Sequence, residues 1–190
     1  GGARGITAET LKRFARAGAH LVLVGRSTLP GAEDPALAGA PDAGALRKAL
    51  LTQARAAGEK PTPAQVERLV QAVLRDREMR ANIADLEALG GKVTYHAADL
   101  REEAATRVLL DAVYADHGRL DVVLHGAGVI EDKLVVDKEL SSWHRVVGTK
   151  LDSAFLLARH LRPEGLKALV FFASVAGRYG NSVQADYAAA

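Results

Sequence analysis

Segments with helically spaced apolar residues alternate along the chain with short continuous apolar runs. Residues 7–17 (TAETLKRFARA) place Ala8, Leu11, Phe14 and Ala15 on one helical face, and Gly18 follows as a C-terminal stop. His20 to Val24 is an apolar run of the buried-strand type, closed by Gly25-Arg26-Ser27. Five of the six prolines fall within residues 28–63, among Ala and Gly, with one helix at about 43–57. Thr62-Pro63 is an N-cap and first-turn pair for a second helix. That helix carries Val66, Leu69, Val70, Val73 and Leu74 at helical spacing and runs to Leu89, where Gly90-Gly91 stops it. Residues 28–89 therefore predict a helical insertion outside the main sheet. Beyond it come a strand at Val93–His96 and an amphipathic helix at 101–116. A strand at Leu120–Leu124 then leads into His125-Gly126-Ala127-Gly128. A helix from Trp143 to His160, capped by Ser142, precedes a last strand at Leu166–Phe172. Strands alternating with helices predict an α/β fold with a doubly wound parallel sheet.

Composition narrows the setting. The 190 residues are 48% hydrophobic and 25% charged, which suits one globular domain and is too apolar for a disordered chain. No apolar run approaches the ~18–20 residues of a membrane span, so no membrane partner is expected. The net charge of +2, without a Lys/Arg block, gives no reason to expect nucleic acid. With no cysteine, disulfides and thiolate chemistry are excluded, and the sequence is compatible with a reducing, cytoplasmic setting. The chain opens on Gly1 rather than Met and closes on Asp186-Tyr187-Ala188-Ala189-Ala190, which reads as mid-helix. An excerpt from a longer polypeptide is expected.

Several residues carry candidate chemistry. Gly1, Gly2 and Gly5 lie directly before a helix, where backbone can approach a phosphate closely and the helix N-terminus supplies N–H donors. The same cluster also reads as ordinary loop punctuation. About 20 residues after such glycines a dinucleotide site selects its cofactor, an acid accepting from a ribose hydroxyl and a base pairing with a 2′-phosphate. Arg26 occupies that place, with no acid until Glu33, and Arg4 can add a second positive charge. NADP is favoured over NAD, the alternative being a solvated loop arginine. At ~100° per residue, Trp143, Val146, Val147, Ala154, Leu157 and Ala158 all fall within about 80° of Lys150. Lys150 then sits at the centre of an apolar stripe, where it either snorkels outward or points its charge into a cleft. Ser174 follows the last strand, and Tyr187 comes 13 positions later. Asp99 also reads as a cap for the helix beginning near Arg101, and His125 as a core histidine beside a glycine turn.

Together these residues resemble the short-chain dehydrogenase/reductase superfamily, a Rossmann-like fold, across essentially the whole chain. Gly1-Gly2-Ala3-Arg4-Gly5-Ile6 is similar to the family's TGxxxGxG loop, without the leading Thr and with Thr7 where the last Gly belongs. Asp99, followed by Leu100, matches the aspartate that contacts adenine. His125-Gly126-Ala127-Gly128 matches the NNAG-like turn beneath the cofactor. Ser174 and Tyr187 match the catalytic serine and tyrosine. Lys150 stands where most members carry Asn, an exchange that resembles the ketoreductase domains of polyketide and fatty acid synthases. The long segment after Ser27, with Pro61-Thr62-Pro63, is most like ketoreductases of polyunsaturated fatty acid synthases. Ile130-Glu131-Asp132 resembles the Leu-Asp-Asp motif of ketoreductases that form the D (3R) alcohol.

The resemblance implies NADPH-dependent reduction of a β-ketoacyl thioester delivered on the phosphopantetheine arm of an acyl carrier protein domain in the same polypeptide. Arg26 and Ser27 would face the 2′-phosphate, Tyr187 would donate the proton, Lys150 would make it a better donor, and Ser174 would hold the carbonyl oxygen. Two alternatives stay open: a free-standing NADP-dependent dehydrogenase of a small molecule, and a non-catalytic Rossmann-like scaffold. The resemblance also implies a central first strand missing from these 190 residues, leaving an unfilled sheet centre.

Overall fold

The computed structural model describes residues 2–190, so Gly1 lies outside the described residues. Helix α1 (Gly5–Arg16) begins two residues before the apolar spacing does, because Gly5 turns the chain into it at φ +59°. It buries Thr7, Ala8 and Ala15. Strand β1 (His20–Gly25) alternates buried Leu21 and Leu23 with half-buried neighbours and pairs in parallel with β2 (Lys92–Ala97), Leu21 opposite Val93 and Leu23 opposite Tyr95. Between these strands lie α2 (Pro35–Ala38), α3 (Ala43–Ala56) and the long α4 (Pro63–Ala88). The N-terminus of α4 is fixed by a capping box in which the Thr62 side chain accepts from Gln65 N–H and the Gln65 side chain accepts from Thr62 N–H.

Helix α4 serves two cores. Val66 and Val70 pack with Leu37, Ala40 and Leu46 in a satellite cluster built with α2 and α3. Met79 and Leu86, further along, join Ala15, Leu21 and Leu23 in the main core. Arg77 of the same helix fastens the segment before α3, clasping Glu33 through Nε and Nη2 and donating to the carbonyls of Leu37 and Ala40.

The second half contains α5 (Glu103–His117), β3 (Val122–His125), α6 (Leu140–His160), β4 (Ala168–Phe171), α7 (Ala176–Tyr179) and α8 (Ala185–Ala189). Strands β3 and β4 pair in parallel, with Leu124 opposite Val170. Strand β3 is shorter than its apolar run because Leu120 turns away to pack with Leu110, Tyr114 and Leu157 between α5 and α6. No helix among the described residues is long and apolar enough to cross a membrane.

Three local expectations are corrected. Asp99 does not cap α5: the N-cap is Glu102, without a side-chain cap, and the Asp99 carboxylate is taken by Arg101. Ser142 does not cap α6, which starts at Leu140; Ser142 lies buried in the first turn and donates to Glu131 at 2.6 Å. Lys150 is not at the centre of the buried stripe. The buried face of α6 runs through Ser142, Val146, Thr149, Ser153, Leu156 and Leu157, about 70° round the wheel from Lys150 at ~100° per residue. Small polar residues with internal hydrogen bonds, Thr149 to Arg145 O and Ser153 to Thr149 O, bury as readily there as apolar ones.

Among the described residues β1–β2 and β3–β4 form two separate two-stranded sheets. Between β1 and β3 runs a largely apolar trough of about 460 Å³, its wall including Phe14, Leu21, Leu23, Val113, Val123 and Leu124. A trough of that size between strands that share no ladder leaves apolar wall and backbone edge to water. Residues 1–190 in isolation are expected to melt without a cooperative transition and to bind a hydrophobic dye. A single sharp transition by circular dichroism, with no dye binding, would contradict this.

Candidate active site

The carboxyl ends of β1, β2 and β3 open onto one cleft of about 290 Å³, lined among others by Gly2, Arg4, Arg26, Asp99, Ala127 and Gly128. Ala3, Ser27 and Leu100 complete the share of the wall that the sequence foresees. The glycine loop is held against β1 by a hydrogen bond from Gly2 N–H to Val24 O at 3.0 Å. A side chain at Gly2 would come within 3.2 Å of the Val24 nitrogen, so close approach requires glycine there. Of the other foreseen cofactor residues, Gly5 and Ile6 start α1 outside the cleft wall, and Ile6 is exposed. His125 and Gly126 line the central trough instead.

The cleft is electrostatically uneven. Arg26 stands exposed at its rim and, among the described residues, pairs with no carboxylate; the first acid downstream, Glu33, is consumed by Arg77 and Arg80. The Arg101 guanidinium, with further help from Arg26, holds the Asp99 carboxyl below the usual carboxylate range. At the start of α1, Glu78 of α4 binds Arg4 Nε at 2.7 Å and accepts from Gly5 N–H at 3.2 Å. Tyr95 forms another part of the wall and donates its hydroxyl to Ser27 O at 2.7 Å. A Cβ on Gly25 would meet that hydroxyl at 2.4 Å, so a side chain there would displace the tip of Tyr95 from Ser27 O.

A second group gathers where α6, α7 and α8 pack together. Lys150 is half-buried and its ammonium lies 4.8 Å from the centroid of the Tyr187 ring. Ser174 sits between β4 and α7 and accepts from Ala176 N–H at 3.1 Å, which leaves its own hydroxyl proton without an acceptor among the described residues. Helix α8 packs against both α6 and α7; its Tyr187 ring meets Lys150 of α6, and Ser174 stands in the turn that leads into α7. His125 is buried, its Nε2 within 2.7 Å of Ser153 Oγ. Burial first, and then the charge of Lys150, push it below the usual imidazole range, which keeps it neutral. Its reading as a core histidine matches that environment.

Comparison with known proteins places this arrangement. The family model described as the KR domain matches residues 1–190. The chain belongs to the KR domain family. It is 38% identical over 198 residues to a polyunsaturated fatty acid synthase polypeptide of Thraustochytrium sp., covering all of this chain but 7% of that protein. It is 29% identical to the 3-oxoacyl-[acyl-carrier-protein] reductase of Thermotoga maritima over 56% of this chain and 45% of that one. A ketoreductase domain from the bacillaene assembly line superposes with a TM-score of 0.71 at 23% identity, over 99% of this chain and 34% of that chain.

Members of the KR and short-chain dehydrogenase families use nicotinamide cofactors, and this KR domain's cleft fits one in kind: a glycine loop tight against β1 at Gly2, three arginines (Arg4, Arg26 and Arg101) and a wall from three strand ends. Some of its features escape the sequence. Arg101 pairs with Asp99 across two positions, so a short-range acid–base reading would find it. Tyr95 and Glu78 reach the cleft from 68 and 73 residues away and leave no local signal. Thr7, the departure from the glycine motif, has a structural counterpart. Its Oγ1 would lie 2.1 Å from a Cβ on Gly126, so the small residue this contact needs is supplied by the facing turn.

Gly126→Ala is therefore expected to destabilise the domain by about 1–3 kcal/mol through overpacking. Thr7→Ala in the same chain should recover most of that loss. Thermal unfolding of the two variants in the full-length protein checks it, and a double variant no more stable than Gly126→Ala alone would refute the contact.

Proposed function

We propose that this KR domain reduces a β-ketoacyl thioester to the β-hydroxyacyl thioester with NADPH. The substrate is presented on the phosphopantetheine of an acyl carrier protein domain within a larger polypeptide. The observation that carries this reading is the Lys150 ammonium over the Tyr187 ring, with α7, the helix that follows Ser174, packed on the helix that carries Tyr187. The likeness of the whole chain to part of a fatty acid synthase supports it, as does the likeness to a protein named for reducing a 3-oxoacyl carrier thioester.

Gly2, Ala3, Arg4, Arg26, Ser27, Asp99 and Leu100 would hold the dinucleotide, with Ala127 and Gly128 on the side of β3. When bound, it supplies the hydride that the carbonyl carbon receives. The chain's own groups handle the oxygen. The Ser174 hydroxyl donates to the carbonyl oxygen and fixes its direction. Tyr187 passes its hydroxyl proton to that oxygen as the C=O double bond becomes a single bond, and the product is a neutral alcohol. The phenolate left on Tyr187 is stabilised by the Lys150 ammonium until solvent returns the proton. A neutral His125 beneath this group adds no charge to oppose that of Lys150.

NADPH is favoured over NADH by Arg26, an exposed guanidinium on the cleft rim with no carboxylate claiming it among the described residues. A bidentate phosphate contact suits it.

Tyr187→Phe should lower NADPH-dependent reduction of a β-ketoacyl thioester by a factor on the order of 10²–10⁴, as loss of a general acid does, while cofactor binding persists. Unchanged turnover would remove the assignment. Arg26→Ala should weaken NADPH binding about tenfold or more, the scale of one charged hydrogen bond, and leave NADH binding nearly unchanged. Fluorescence titration with both cofactors measures it; equal weakening of the two would assign Arg26 another role.

A further inference from the structure

The loop between β3 and α6 is joined to the segment that carries Tyr187 at three places. Lys133 N–H donates to Val183 O at 3.0 Å. The Gln184 side-chain amide donates to the Asp132 carboxylate at 3.0 Å. The third tie is the most constrained: the Lys138 ammonium pairs with the Asp186 carboxylate, and their side chains are only 2% and 1% exposed. The same ammonium donates to Glu131 O at 2.5 Å, while Asp186 Oδ1 accepts from the N–H of Tyr187 itself at 2.9 Å.

The other end of this loop is fastened to α6. Glu131 accepts from Ser142 Oγ at 2.6 Å and from Arg145 Nε at 2.6 Å. These contacts, Arg145 first, hold its carboxyl down at about 2, so it stays charged throughout the neutral range. Lys150 lies further along the same helix. A continuous path therefore runs from α6 through Glu131 and Lys138 to Asp186 and the backbone of Tyr187. Val183, at φ +62°, is held in a conformation costly for a β-branched residue, as expected where surrounding contacts dictate the backbone.

A charge pair removed this completely from water is a poor source of stability, because desolvation offsets most of the attraction. Here it fixes one atom group against another. We propose that Lys138 and Asp186 are positioning residues that set the Tyr187 hydroxyl against Lys150, an inference that rests on the reductase reading above. They touch no reacting atom; they act through the backbone of Tyr187 and the loop that binds α8 to α6.

The test compares Lys138→Met/Asp186→Asn with the wild type in the full-length protein, in Tyr187 and Tyr187→Phe backgrounds. Both charges leave together, so no buried ion is left uncompensated. With a β-ketoacyl thioester, kcat should fall about tenfold or more, a displacement of an ångström being enough for up to ~10²-fold. NADPH affinity should stay within about twofold, and in the Tyr187→Phe background the extra loss should vanish, since no hydroxyl remains to be misplaced. An unchanged kcat, or the same loss in both backgrounds, overturns the proposal. Gln184→Ala, at an exposed clasp, covers the case in which the double variant does not fold. It should lower kcat about threefold with the same dependence on Tyr187, and an unchanged kcat there also overturns the proposal. If Tyr187→Phe alone turns over like the wild type, the reductase reading fails first, and this inference falls with it.

Discussion

Parallel pairing within β1–β2 and β3–β4 makes paired strands end on the same side, and the chemistry of this protein is distributed among those ends. The turn after β1 holds Arg26, the turn after β2 holds Asp99, and Gly126–Gly128 and Ser174 follow β3 and β4. No residue among these is near another in sequence; only the shared strand direction collects them. Glycine then sets how close they come. Gly2 lies against the backbone of β1, Gly25 leaves room for the Tyr95 hydroxyl, and Gly126 leaves room for Thr7. These three contacts are packing decisions, yet each one shapes a wall or floor of the cleft or its neighbouring trough.

The site divides into a cationic cleft and a proton-handling group, supported differently. The cleft rests on strand ends and on α4, with charges near water that screening weakens. The proton-handling group rests on helix packing: α6 provides Lys150, α8 provides Tyr187, and the turn into α7 provides Ser174. The buried pair of Lys138 and Asp186 lies beneath this second group, where charges are screened least. In the proposed reaction, the lysine beside Tyr187, the neutral histidine and the serine hydroxyl would form a consistent electrostatic set for delivering a proton to oxygen.

Much of this was legible in the residues. Spacing located the longer helices and the strands to within a few positions, since strong apolar periodicity and Gly, Pro and Thr punctuation mark them locally, whereas the four-residue α2 and α7 are too short to carry a period. Ser174 and Tyr187 were found through the family pattern, and Lys150 through its conflict with the apolar stripe. The wheel nevertheless misplaced Lys150, because Thr149 and Ser153 bury by bonding their own helix backbone and so do not register as core. Asp99 and Ser142 were read as caps because Asp and Ser near a helix start usually are; instead Asp99 takes the N–H and guanidinium of Arg101 before the helix begins, and Ser142 donates to Glu131. Pairings across long loops left no trace. Lys138 and Asp186 are 48 positions apart, and Arg4 and Glu78 are 74 apart. Such partners are chosen by the fold, after the local rules have been spent.

Glu78 gives the glycine loop an unusual starting condition. Burial opposes its charge, but Arg4 and the Gly5 N–H outweigh that and keep it ionised. On the proposed reading, a phosphate arriving at Arg4 would meet an anion already seated, so its binding would be an exchange of partners rather than a simple addition. The free energy of that exchange includes the hold of α4 on its carboxylate, and α4 is anchored in the satellite core by Val66 and Val70. On that reading, cofactor affinity and the packing of α4 in the satellite core would be thermodynamically linked: whatever loosens one helix face would change the occupancy of a loop at the other end of the same helix.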